Sequence, residues 1–143
     1  MEALKDDHVH VGALDLRFLV DETTGAGDLV MFEFTVPAAA RVPAPHYHRG
    51  VDEAVYGLSG TLTLTLDGAR HEIRAGDSIF IPRGSVHHHE NHHAETARVL
   101  IVLTPGTIGR RYFEDIAEAV NVPGKPDLAR VKAVMERHGL VPA

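Results

Sequence analysis

The chain has 143 residues, 44% of them apolar and 24% charged, with a formal net charge of −6 and no cysteine. This length sets the expectation of one domain around a single core, and the missing cysteines exclude disulfides, thiolate zinc sites, iron–sulfur clusters and cysteine nucleophiles. A negative balance with no Lys/Arg cluster argues against a nucleic-acid partner, and no apolar run approaches the roughly 20 residues of a spanning helix, nor does the start of the chain resemble a secretory signal, so no membrane partner and a cytoplasmic location are expected.

Alternation of apolar and polar residues, the period of half-buried strands, recurs through the first two thirds of the chain. In order, the expected strands are Val9 to Val20, Leu29 to Val36, Ala54 to Leu58, Thr61 to Leu66, His71 to Arg74, Ser78 to Ile81, Val86 to His89 and Ala97 to Leu103. The plainest is Thr61 to Leu66, where three leucines share one face and three threonines the other, and Asp67-Gly68 supplies a hairpin turn. Turn signals separate the rest: Thr24-Gly25, Gly27-Asp28, Pro43 to Pro45, Gly76-Asp77, Pro82 to Gly84 and Pro105-Gly106. Short strands at this spacing predict an all-β barrel or sandwich over about residues 8–108. After Pro105 the period changes: Tyr112, Phe113, Ile116, Ala117 and Val120 fall at helical spacing, as do Leu128, Val131 and Val134 or Met135, with Gly139 as a stop. Two short helices over about 109–143 therefore follow the strands, within the same single domain of 1–143, and pack on the barrel or over its opening.

There are 11 histidines. His46 and His48, two apart on an extended chain, point the same way and can reach one point. Glu53 lies at an odd offset and would face away unless a bend near Gly50 resets the register. His87 follows the Pro82-Arg83-Gly84 turn, and His89 shares its strand face. Three neutral imidazoles and one carboxylate suit a divalent first-row metal. By contrast, His88, His92 and His93 are expected to be a solvated run, and His8 and His10 to be surface residues.

Residues 46–60 read HxHxxxxE, six residues, then Gly60; residues 76–91 read Gly76, five residues, Pro82, one, Gly84, two, His87, three, Asn91. This pair of motifs resembles, position for position, the two motifs of the cupin superfamily, and the short spacing between them is similar to that of small, quercetinase-like microbial cupins. The resemblance implies a double-stranded β-helix, or jelly-roll, barrel. It also implies one divalent transition metal per chain, whether Fe, Mn, Ni, Co, Cu or Zn, held by His46, His48, Glu53 and His87. It favours a homodimer, as does the prevalence of two-fold assemblies.

Zinc with four protein ligands is usually a closed tetrahedron, so a catalytic centre favours a metal that takes more ligands. The leading expectation is a dioxygenase-type oxidation of a small aromatic or enolic molecule, with Glu53 and His89 in catalytic roles. The alternatives are a redox-neutral isomerase or decarboxylase with His89 or Tyr56 as acid or base, and a barrel that binds or senses a small molecule without turning it over.

Overall fold

A computed structural model describes residues 7–24 and 26–143; Gly25, in the expected Thr24-Gly25 turn, lies outside the described residues, as do residues 1–6. The described residues form eleven strands and two helices: β1 His8–Val11, β2 Leu14–Val20, β3 Val30–Val36, β4 His46–His48, β5 Asp52–Ser59, β6 Thr61–Leu66, β7 Ala69–Arg74, β8 Ser78–Ile81, β9 His87–Glu90, β10 Ala97–Thr104, α1 Arg110–Val120, α2 Leu128–Arg137 and β11 Leu140–Pro142. Neighbouring strands are antiparallel, in a six-stranded sheet β1-β2-β3-β10-β5-β8 and a five-stranded sheet β11-β4-β9-β6-β7. Facing each other, they form the expected jelly-roll barrel. No helix among the described residues is long and apolar enough to cross a membrane.

The inward residues of both sheets make one core, with Leu16, Phe18, Val30, Val36, Val55, Leu62, Leu64, Ile81 and Val99 all nearly inaccessible. Burying each such aliphatic or aromatic side chain contributes about 1.5–3 kcal/mol. Asp67 and Gly68, with φ of 47° and 83°, form the tight hairpin between β6 and β7 that matches strand twist. Gly60 also has a positive φ, 65°, and a Cβ there would collide with the Thr96 carbonyl, so the motif glycine answers to packing as well as to backbone conformation.

Two elements differ from the sequence-based expectation. Val9 to Val20 is a hairpin, not one strand: Gly12, at φ 59°, turns the chain so that Val11 pairs with Leu14 and Val9 with Leu16. The alternation changes phase across Gly12-Ala13, the inward residues being Val9 and Val11 before it and Leu14, Leu16 and Phe18 after it, and that break marks the turn. The C-terminal segment does not end in helix, because Leu140–Pro142 returns as β11 beside β4, pairing Leu140 with His48 and Pro142 with His46. Backbone bonds from Arg49 to Gly139 (3.0 Å) and from Ala143 to Pro45 (2.9 Å) extend that contact. On its other side β4 pairs with β9 through His46 and His87 alone, so the last residues of the chain are what hold this three-residue strand in the sheet.

Helix α1 is anchored at both ends by residues distant in sequence. Glu22 accepts from the Arg110 and Arg111 amides at 2.9 and 3.1 Å, satisfying otherwise orphaned donors at the helix start. Asn121 accepts from the Gly12 amide and donates to the His10 carbonyl, both at 2.7 Å. Helix α2 carries its own cap, the Asp127 carboxylate accepting from the Ala129 and Arg130 amides.

Candidate metal centre

His46, His48, Glu53 and His87 are all buried, at 9%, 4%, 4% and 1% exposure, and they come from both sheets. His46 and His48 lie on β4 and His87 on β9, in the five-stranded sheet, while Glu53 opens β5 in the six-stranded one. The odd offset is resolved by the expected bend near Gly50, which here also moves the chain from one sheet to the other. The chain leaves β4 at His48, bends through Arg49-Gly50 and enters the opposite sheet, so Glu53 faces inward from the other wall. The crossing is braced: Asp52 accepts from the Arg83 amide and guanidinium at 2.9–3.2 Å, and the Gly84 amide donates to the His48 carbonyl at 2.8 Å. One sequence motif thereby holds the turn of the other. Asn91 staples the return of β9, donating to the Val36 and Glu95 carbonyls and accepting from the His93 amide.

The rings of His46, His48 and His87 lie with centroids 4.6–5.3 Å apart, and their nitrogens converge within 4.8 Å. His46 and His87 each place Nδ1 on a backbone carbonyl, that of Ala44 at 2.9 Å and that of Ser85 at 3.0 Å. These bonds put the proton on Nδ1 and leave Nε2 as a bare lone pair, the form a metal requires. His87 Nε2 is fully buried with no hydrogen-bond partner. An unpaired buried polar atom costs about 1–3 kcal/mol, which a bound cation would offset.

Glu53 divides its oxygens. Oε1 lies 3.6 Å from His87 Nε2 and 3.9 Å from His48 Nε2, whereas Oε2 accepts from His89 Nε2 at 2.8 Å. Glu53, His87 and His89 form a second convergent trio that shares His87 with the first. The contact to Glu53 places a proton on His89 Nε2, and its Nδ1 is also buried and without a hydrogen-bond partner.

Electrostatics favour cation capture. Burial, reinforced by His87, lowers His46 to about 3, and burial lowers His48 to about 4 despite Glu53 beside it. His87 is lowered as well, again mainly by burial. Burial alone would raise Glu53, but His89, His87 and His48 together hold it at about 2. At neutral pH the cluster is thus three neutral imidazoles and one carboxylate, deprotonated ligands with no protons to displace. Such a set of nitrogen and oxygen donors could bind a metal ion.

Above the cluster lies a cavity of about 70 Å³. Its walls are β-strand residues such as Leu16, Phe34 and Ile101, and α1 and its approach close it with Ile108, Tyr112, Phe113 and Ile116. The helical stripe read from sequence as packing is therefore also the roof of the pocket. No local signal could have identified Tyr112 as pocket lining, because the elements it faces are remote in sequence. Tyr56 corrects an expectation: it points outward from β5 and is 47% exposed, so it cannot serve as acid or base in this cavity. Outside the barrel, His88 and His92 lie 3.2 and 3.1 Å from Glu90, His93 lies 2.7 Å from Glu72, and His8 lies 2.9 Å from Asp15. None of these joins the convergent groups.

The family model described as "Cupin domain" matches residues 32–103, half of the chain, and contains the whole cluster. Among curated relatives, quercetin 2,3-dioxygenase of Bacillus subtilis is 24% identical over 140 residues, covering 95% of this chain and 40% of the relative. The chain spans about half the length of the curated relatives it matches first. Among solved structures, a sugar phosphate isomerase from a cupin superfamily of Silicibacter pomeroyi is 25% identical with a TM-score of 0.58, over 66% of this chain and 60% of the other. A predicted oxalate decarboxylase of Thermotoga maritima is 22% identical with a TM-score of 0.60, over 64% and 80%, and shows the fold alone.

Proposed function

We propose that this chain, which belongs to the cupin domain family, is a metal-dependent enzyme that oxidises a small aromatic or enolic molecule with molecular oxygen. The observation that carries this reading is the fully buried, partnerless Nε2 of His87, grouped with His46 and His48, which with Glu53 line the floor of an apolar cavity. His46, His48, Glu53 and His87 would hold one divalent transition metal. When bound, it would supply Lewis acidity and a site for oxygen activation. The chain's residues do the rest. The apolar wall excludes water and strengthens every charge interaction within it. Glu53 accepts the proton that an enolic or phenolic substrate gives up, and the His89 bond at Oε2 fixes its orientation. The cavity is several-fold below the roughly 300–1,000 Å³ of pockets for drug-sized ligands, which favours single-ring or open-chain substrates over flavonols.

Elemental analysis of the purified protein, joined to oxygen uptake on catechols, flavonols and enolic acids, tests the reading. About one equivalent of metal and uptake with the smaller substrates are expected. Tight ligand binding with no oxygen consumed in the iron, manganese, nickel, cobalt or copper form would overturn it. The Glu53–His89 contact supports a second reading, a redox-neutral isomerase or decarboxylase in which this pair moves the proton. Product analysis distinguishes the two.

A further inference from the structure

Five polar side chains line the cavity: His46, His48, Glu53 and His89 on the floor, and Tyr112 from the roof. No lysine, arginine, serine, threonine or asparagine contributes to this lining. A phosphate, or a second carboxylate beyond the one a metal could take, would sit unpaired against Leu, Ile and Phe side chains, a placement that is strongly disfavoured.

Tyr112 is held rigidly. Its ring packs edge-on against Phe113 (4.8 Å) and His138 (5.3 Å), and His138 is pinned by Asp115 at 2.9 Å. The residue is 3% exposed, yet burial is the sole influence on its phenol, with no hydrogen-bond partner or charge beside it. Burial pushes the phenol up, so it stays a neutral O–H donor throughout the range in which the protein is handled. A buried tyrosine hydroxyl usually finds a partner, and Tyr112 lines the cavity.

We propose that Tyr112 is the ligand-selecting residue of the cavity, hydrogen-bonding an oxygen of a small, apolar-bodied oxygen chelator whose remaining oxygen faces the histidine cluster. This rests on the metal-centre reading above. It assigns the ligand class as neutral or singly charged enols, hydroxyketones and phenols, and excludes phosphate esters and those dicarboxylates whose second carboxylate lies too far away to reach the same metal.

The full chain loaded with cobalt(II) is titrated with maltol, a small hydroxyketone, and with adipate and glucose 6-phosphate, followed by calorimetry and the visible cobalt spectrum. Wild type should bind maltol most tightly of the three. Tyr112→Phe removes only the hydroxyl and keeps the ring contacts, so cobalt content and melting temperature should hold. Its maltol affinity should fall about five- to tenfold, the scale of one hydrogen bond, while weak adipate binding is unchanged. Equal maltol affinity in the two proteins overturns the assignment, as does adipate or glucose 6-phosphate binding more tightly than maltol. A wild-type chain that takes up no cobalt sinks the metal-centre reading and this one together. One that takes up cobalt but shows no effect of the variant sinks this one alone.

Discussion

His87 and His88 are neighbours on one strand, and the two faces of that strand give the same side chain opposite chemistry. Inward, His87 is buried and its Nε2 has no partner, while His46 and His48 close around it. Outward, His88, His92 and His93 each lie beside a carboxylate in contact with solvent, where such pairs contribute little. Metal affinity therefore follows from convergence and desolvation and not from the number of histidines in a stretch. The densest histidine run of the chain supplies one residue of the inner three.

The comparison breaks most sharply at the ligands. His48→Ala or His87→Ala should reduce metal affinity by more than about a hundredfold, because losing even a partner one layer out costs roughly 10–100-fold. Full metal occupancy in both variants, measured by elemental analysis, would show that the inner face is not the centre. Next in size, Glu53→Gln should retain a substantial part of the metal while oxygen uptake with a competent substrate falls about a hundredfold or more, the scale of a lost positioned base. An equal loss of metal and turnover would make Glu53 a ligand only.

Acid should affect the buried cluster and the surface residue His8 in opposite directions. Folded His46 and His48 take up protons only near pH 3 and pH 4, against 6.5 in the unfolded chain. The unfolded state then binds more protons across that window, so metal-free protein should lose stability as pH falls from about 6.5 towards 3. Glu53, about 2 when folded against 4.5, acts in the same sense, its contribution being present above 4.5 and lost as pH falls towards 2. His8 is raised by its hydrogen bond to Asp15, so its small contribution is present below 6.5 and fades as pH rises. Denaturant titrations of the metal-free chain between pH 7 and pH 4 check the sign, and stability rising on acidification would contradict the buried cluster. The smallest effect should come from His92→Ala with His93→Ala. Metal stoichiometry should stay unchanged and stability should shift by no more than about 0.5 kcal/mol; a lowered metal content would move the centre to the outer run.

Sequence alone determined the strand-rich barrel, the two trailing helices and the two motifs, because alternation, turn residues and fixed spacing are local properties that burial on one face writes into the chain. Asp67-Gly68 and Thr61 to Leu66 are legible for that reason. Only the tertiary structure decided what depends on which walls meet. Glu53 reaches the histidines by crossing between sheets, Tyr112 closes the cavity from a helix capped by Glu22, and β11 secures β4 from the far end of the chain. Three residues ending in proline carry no periodicity to read, and they form a strand only because the open edge of β4 offers its backbone groups a partner.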